Sequence, residues 1–153
     1  MILGFHHSSF TVSNIEEAER FFVDLFAMKR IGGGVYDFDY IKRQVGYPDA
    51  NLKIAVLGFA KGGAGLLELI EYVQPQGKAA DTATNRPGNA HLCFLVDDIE
   101  AEYQRLIAAG VRFKSTPNEV TFGINKGAKA VYLNGPDGIA LELLQPARNE
   151  HHG

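Results

Sequence analysis

Two histidines and two glutamates are the residues of this chain whose types and spacing could do chemistry. His7 opens the segment HSSFTVSNIE at 7–16, and it aligns without a gap on HLCFLVDDIE at 91–100, which opens with His91, an offset of 91 − 7 = 84. Glu68 stands in GLLELI at 65–70 and Glu142 in GIALELL at 138–144, an offset of 142 − 68 = 74. A carboxylate flanked by leucines on a strand facing other protein costs several kcal/mol to bury unless its charge is compensated. Two such glutamates, each matched by the repeat with a histidine, point to one shared cation. Imidazole and carboxylate donors suit Zn, Ni, Co, Mn or Fe(II), and four of them leave water positions open in an octahedral shell. Singly, a strand histidine is more often a satisfied structural residue and a strand glutamate a solvated one. Their recurrence at equivalent places of two copies is what argues for ligands.

Those residues need strands and helices to bring them together. In both copies an alternating segment, 5–12 and 90–96, reads as a strand that runs into a helix cap at Ser13 or Asp97, with Glu16 or Glu100 three residues on as in a capping box. The first helix puts Ile15, Ala18, Phe22 and Leu25 on one stripe. The second puts Ile99, Tyr103, Leu106 and Ile107 there before Gly110 stops it. Alternation turns His7, Ser9 and Thr11 away from the helix, and likewise His91 and Cys93, Glu68, and Glu142. His6 falls on the helix side by the same count. Cys93 shares the face of His91 and reads as cavity lining, because no basic group beside it would activate a thiolate.

The first copy carries ten more residues than the second between its helix and its glutamate strand, 84 − 74 = 10, placed most simply in the Gly-rich and aromatic stretch 32–51. That stretch is the expected substrate loop. Its Tyr40, Arg43 and Tyr47, with Arg86 and Lys129, are the expected contacts to an anionic substrate. Asn134-Gly135-Pro136-Asp137-Gly138 reads as a tight hairpin turn. The organisation expected is a first module at 1–75, a linker at 76–89, a second module at 90–147 and a loose tail at 148–153, where His151 and His152 are solvated.

Composition narrows the function. At 153 residues and 46% hydrophobic, the chain can bury one ordinary core or two half-size cores. With 15 Lys plus Arg against 18 Asp plus Glu, it has no basic field for nucleic acid. The start MILGFHHSSF is unlike a signal peptide, and no apolar run approaches the roughly 20 residues of a membrane span, so a cytoplasmic location is expected. A single cysteine forms no internal disulfide and removes cysteine-rich metal sites.

These features together resemble the vicinal oxygen chelate superfamily, which includes glyoxalase I, methylmalonyl-CoA epimerase, extradiol dioxygenases, and fosfomycin and bleomycin resistance proteins. The resemblance lies in the His-x4-V-[SD]-[ND]-I start of both copies, the strands LLELI and ALELL, and the NGPDG turn, and it spans nearly the whole chain. It implies an α+β fold of two β-α-β-β-β modules forming an open, cup-shaped mixed sheet around a metal, commonly in a homodimer. It also implies that Glu68 completes a glyoxalase I-like ligand order, His7, Glu68, His91, Glu142, where the epimerase has Gln at the second place. The expected function is a metal-dependent lyase or isomerase that stabilises the enediolate of a substrate with two vicinal oxygens, such as a hydroxy-ketone or a thiol adduct, with Glu142 or Glu68 carrying the proton. The alternatives are an epimerase, a non-catalytic binding protein of the resistance type, and an extradiol dioxygenase. The sequence 24–28 and 71–75 departs from glyoxalase I and speaks against glutathione.

Overall fold

The computed structural model describes residues 1–60 and 65–147. Residues 148–153, with His151 and His152, lie outside the described residues. The chain divides into two units, Met1–Ala80 and Asp81–Gly153.

In the first unit, β1 (His7–Thr11) leads into α1 (Ile15–Arg20), which continues as a π-helical turn at Phe21–Leu25. There follow β2 (Met28–Tyr36), α2 (Asp39–Val45), β3 (Asn51–Phe59) and β4 (Leu66–Gln74). The sheet order is β1-β4-β3-β2, with β1 parallel to β4 and the other neighbours antiparallel. One face of this sheet carries Ala55, Leu57, Leu67 and Leu69, all buried together with Ile15, Ala18 and Phe22 of the helical segment. Period-two alternation then puts Glu68 on the opposite face, and the register sets it beside Ser9 of β1 and Val56 of β3.

The second unit repeats the plan. It consists of β5 (His91–Leu95), α3 (Ile99–Ala108), β6 (Asn118–Glu119), β7 (Lys129–Asn134) and β8 (Ala140–Gln145), in the order β5-β8-β7-β6 with β5 parallel to β8. Leu133, Leu141, Leu143, Ile99 and Leu106 form its buried side. Gly110, at φ +85°, ends α3: its N–H bonds to Ile107 O and that of Val111 to Leu106 O, so the left-handed residue caps two orphan carbonyls. The NGPDG turn joins β7 to β8, closed by Gly135 N–H to Ile139 O at 2.8 Å. Two four-stranded mixed sheets, each with the helix that follows its first strand packed on one face, make this the expected α+β fold. Among the described residues, no helix is long and apolar enough to cross a membrane.

The structure corrects several details. The caps are Asn14 and Asp98 rather than Ser13 and Asp97, because their side chains accept from the N–H groups of Glu17 and Ala101 at 3.0 Å. Glu16 and Glu100 do not close capping boxes. They pair instead with Lys53 and Lys129, each at 2.9 Å. The first helical N–H groups find partners on the last strand of each unit, Ile15 N–H to Glu71 at 2.8 Å and Ile99 N–H to Gln145 at 2.9 Å. These pairs recur at the same repeat offsets as His and Glu, so each unit ties its helix start to its sheet in the same way. Ile107 is exposed rather than part of the α3 stripe, which Tyr103 completes by an edge-on contact with Phe113 at 4.7 Å.

The stretch 32–51 is not a loop. Residues 32–36 finish β2, and α2 follows, its C-terminus capped by Gly46 at φ +78°. β2 passes so close to β3 that a side chain at Gly33 would put its Cβ 2.0 Å from the Ile54 carbonyl oxygen, at φ +114°. Only glycine fits there. Ile41 of α2 is buried with Ala50, Leu52 and Ile54, against Tyr36, Val45, Val56, Ile70 and Tyr72. Leu52, Ile54, Val56, Ile70 and Tyr72 share the face of Glu68 by register, so the extra residues build a small apolar wall on that face.

Candidate metal centre

Each unit brings its histidine and glutamate together. In the first, His7 Nε2 lies 3.7 Å from Glu68 Oε1. In the second, His91 Nε2 lies 3.1 Å from Glu142 Oε2. The parallel pairs β1–β4 and β5–β8 cause this: His7 opens β1 opposite Leu66, two residues before Glu68, and His91 opens β5 opposite Ala140, two before Glu142. The glutamates are the better shielded partners, with side chains 22% and 16% exposed against 42% for each histidine.

The donor chemistry and spacing fit a divalent ion. Two ligand atoms ~2.1 Å from one ion stand ~3.0 Å apart at a right angle and ~3.4 Å apart at a tetrahedral angle. The 3.1 Å pair falls inside that range and the 3.7 Å pair just outside it. Among the described residues, no group of three or more His, Cys, Asp and Glu side chains is arranged to hold a metal, and each unit presents a two-residue His–Glu pair.

The neighbours of the two His–Glu pairs differ. Across the strands, Glu68 faces Ser9 and Val56, whereas Glu142 faces Cys93 and Tyr132. Tyr132 lies with its hydroxyl 3.2 Å from His91 Nε2 and its ring edge-on to the imidazole, centroids 5.0 Å apart. Sequence reasoning did not single out Tyr132. Counting outward from NGPDG at 134–138 pairs Tyr132 with Ala140; in the structure Asn134 itself pairs with Ala140, and that shift sets Tyr132 opposite Glu142. His6 is exposed rather than turned to the helix, because β1 begins only at His7. Its Nδ1 lies 2.9 Å from His7 Nδ1, on the side of the ring away from Glu68.

Cys93 is the neighbour whose chemistry is most altered. Burial of the sulfur, then the charge and hydrogen bond of Glu142, push its thiol up to about 11 from 9.0. Two units lower the thiolate fraction about a hundredfold at neutral pH. Cys93 is therefore expected to react with iodoacetamide at pH 8 about a hundredfold more slowly than a free cysteine, with the rate still rising toward pH 11. Mass spectrometry of the alkylated peptide checks it, and labelling at the free-thiol rate would contradict it.

The expected substrate contacts divide into two groups. Tyr40 and Arg43 are exposed on α2, Tyr40 stacked on Phe38 with centroids 6.0 Å apart, and Tyr47 meets Tyr72 edge-on at 6.0 Å. These lie on or beside the apolar wall of the Glu68 face. Arg86 is held by Asp81 at 2.8 Å, and Lys129 by Glu100 as the repeat counterpart of the Lys53–Glu16 pair. Lys129 thus has a structural partner already.

The chain is similar to known proteins over most of its length. It is 30% identical over 142 residues to a 2-epi-5-epi-valiolone epimerase from Actinomyces sp., covering 91% of this chain and 77% of that one. It is 27% identical to the uncharacterised protein YwbC of Bacillus subtilis, covering 91% and 94%. The fold matches a glyoxalase family protein from Bacillus cereus with a TM-score of 0.81 at 24% identity, covering 96% of both chains. It also matches the glyoxalase I of Leishmania major with a TM-score of 0.63 at 17% identity, covering 91% and 84%. The family model for the Glyoxalase/Bleomycin resistance protein/Dioxygenase superfamily matches residues 4–143. With its duplicated β-α-β-β-β plan and paired His–Glu strands, the chain belongs to that superfamily.

Proposed function

We propose that this protein is a divalent-metal-dependent epimerase that moves a proton to and from a carbon beside the carbonyl of a hydroxy-ketone. The observation that carries the reading is the repetition of one His–Glu pair, on equivalent strands and on the face opposite α1 in one unit and α3 in the other. His7, Glu68, His91 and Glu142 are the proposed ligands of a single ion. Such an ion supplies Lewis acidity toward two adjacent substrate oxygens, worth several kcal/mol to a developing enediolate. Glu68 and Glu142 are the only carboxylates of the proposed site, so one of them takes the proton as general base, and epimerisation needs the other to deliver a proton from the opposite face. Return to the opposite face of the same carbon epimerises, whereas return to the neighbouring carbon isomerises.

The epimerase outcome is favoured over the glyoxalase I-like one by the kind of similarity. The relative at 30% identity is an epimerase, while the glyoxalase I structures are under 25% identical and bear on the fold alone. Val56 and Ile70, partly buried against the cluster of Ile41, Leu52 and Ile54, give the Glu68 side an apolar surface suited to a carbon ring.

The test is solvent exchange. Metal-loaded protein in deuterium oxide with 2-epi-5-epi-valiolone is expected to put one deuterium on one carbon and to yield the epimer, and chelation is expected to stop both. Full metal content without exchange would overturn the epimerase reading. Deuterium on the neighbouring carbon would favour the isomerase.

A further inference from the structure

The residue before the strand histidine differs between the two units: it is His6 ahead of His7 and Ala90 ahead of His91. His6 Nδ1 lies 2.9 Å from His7 Nδ1, and the rings stand edge-on, 86° apart with centroids at 5.2 Å. Between two neutral imidazoles joined there, one Nδ1 carries the proton and the other accepts it. The contact of His7 with Glu68 favours one of the two arrangements. His7 Nε2 is 3.7 Å from Glu68 Oε1, too far for a hydrogen bond, so Glu68 is out of reach of a proton on Nε2. A proton on Nδ1 has its acceptor in His6. The bond made by one ring nitrogen sets what the other can do, and the Nδ1–H tautomer leaves the Nε2 lone pair facing Glu68.

We propose that His6 is a positioning residue for His7: its Nδ1 accepts the Nδ1–H of His7 and so holds that ring in the orientation and tautomer that present the Nε2 lone pair beside Glu68. This role rests on the metal-dependent reading above and concerns the first unit alone. Three features support it. The side chain of His7 is 42% exposed, so packing does not hold the ring and a hydrogen bond has to. His6 stands just before β1 begins, which frees its exposed side chain from the alternation of the strand and lets it turn toward its neighbour. A ring already oriented loses less freedom when an ion binds, so the contact raises affinity without touching the ion.

The experiment compares wild type with His6→Leu, which removes the acceptor, and His6→Asn, whose Oδ1 stands at about the place of Nδ1. Long-range nitrogen–proton NMR of the metal-free proteins, in a buffer alkaline enough to keep the imidazoles neutral, reads the tautomer of His7. It is expected to be Nδ1–H in wild type and His6→Asn, and Nε2–H, the form a free histidine favours, in His6→Leu. Co(II) affinity is expected to fall about tenfold in His6→Leu, the usual weight of an outer partner of a ligand, and to be restored in His6→Asn. His7 found as Nε2–H in wild type would overturn the proposal, as would one tautomer shared by wild type and His6→Leu. Equal Co(II) affinity in all three would overturn it by showing that the ring needs no holding. An equal loss in both variants would overturn it in favour of ring packing. Wild type that binds no Co(II), yet holds His7 as Nδ1–H only with an acceptor at position 6, would overturn the metal reading and support the hydrogen bond.

Discussion

Glu142→Ala and His91→Ala are each expected to lower divalent metal affinity by more than about a hundredfold and to bring proton exchange down to the level of the metal-free protein. Loss of an outer hydrogen-bond partner of a ligand costs 10- to 100-fold, and loss of the ligand itself costs more. Elemental analysis after dialysis reads the first effect and deuterium incorporation the second. The same substitutions at His7 and Glu68 sharpen the result. One ion held by all four residues predicts that any single substitution empties the protein. Two independent ions predict that His91→Ala retains half the metal and His7→Ala the other half. Unchanged metal content in all four variants would remove the metal reading altogether, leaving the 3.1 and 3.7 Å contacts as ordinary imidazole–carboxylate pairs. Those pairs are more than a third exposed at the histidine, where such a contact contributes at most about 1 kcal/mol to stability.

Much of this site was legible because its determinants are local or repeated. His7 and His91 stand at the first positions of strands that alternate cleanly into helices, and the two glutamates sit in short apolar runs. The alternation alone assigns a face, and the repeat supplies the pairing. What was not legible depends on contacts far apart in sequence. Glu16 and Glu100 have the spacing of capping-box residues, but Lys53 and Lys129 lie across the sheet edge and draw them away. The caps moved by one residue because Ser13-Asn14 and Asp97-Asp98 each offer two competent side chains. The position where the backbone leaves the extended region, Asn14 and Asp98, decides between them.

The inserted stretch 32–51 misled for a different reason. Three consecutive glycines and several aromatics have a loop's composition, yet Gly33 is where β2 closes on β3, and the residues that follow form a seven-residue helix. A helix that short owes its stability to packing rather than to propensity. Ile41 and Val45, one turn apart, were its cue, with Gly46 as its stop. The result places the one structural difference between the repeats on the face of Glu68. The Glu68 face of the first unit carries an apolar wall, whereas the Glu142 strand of the second faces Tyr132.

The scaffold beneath these faces should be least tolerant at Phe22, and Phe22→Ala is expected to destabilise the protein by about 3–5 kcal/mol. Phe22 is fully buried in the π-helical turn after α1, its ring against Phe21 at 5.2 Å and Phe26 at 5.7 Å. Removing the ring leaves a cavity that the turn cannot close, because the extra residue of the π segment already fixes where Phe21 and Phe26 stand. Since a domain of this size is held by about 5–15 kcal/mol in all, the loss is a fifth or more of it. Urea unfolding followed by circular dichroism checks this, with the midpoint lowered and the slope unchanged. The measurement belongs in chelator, because an ion bound only to the folded state would mask part of the loss. Lys129→Met, which breaks an exposed pair with Glu100, is the control and should shift stability by less than about 1 kcal/mol. Equal effects of the two substitutions would mean that the first unit's helix is not held by its buried stripe.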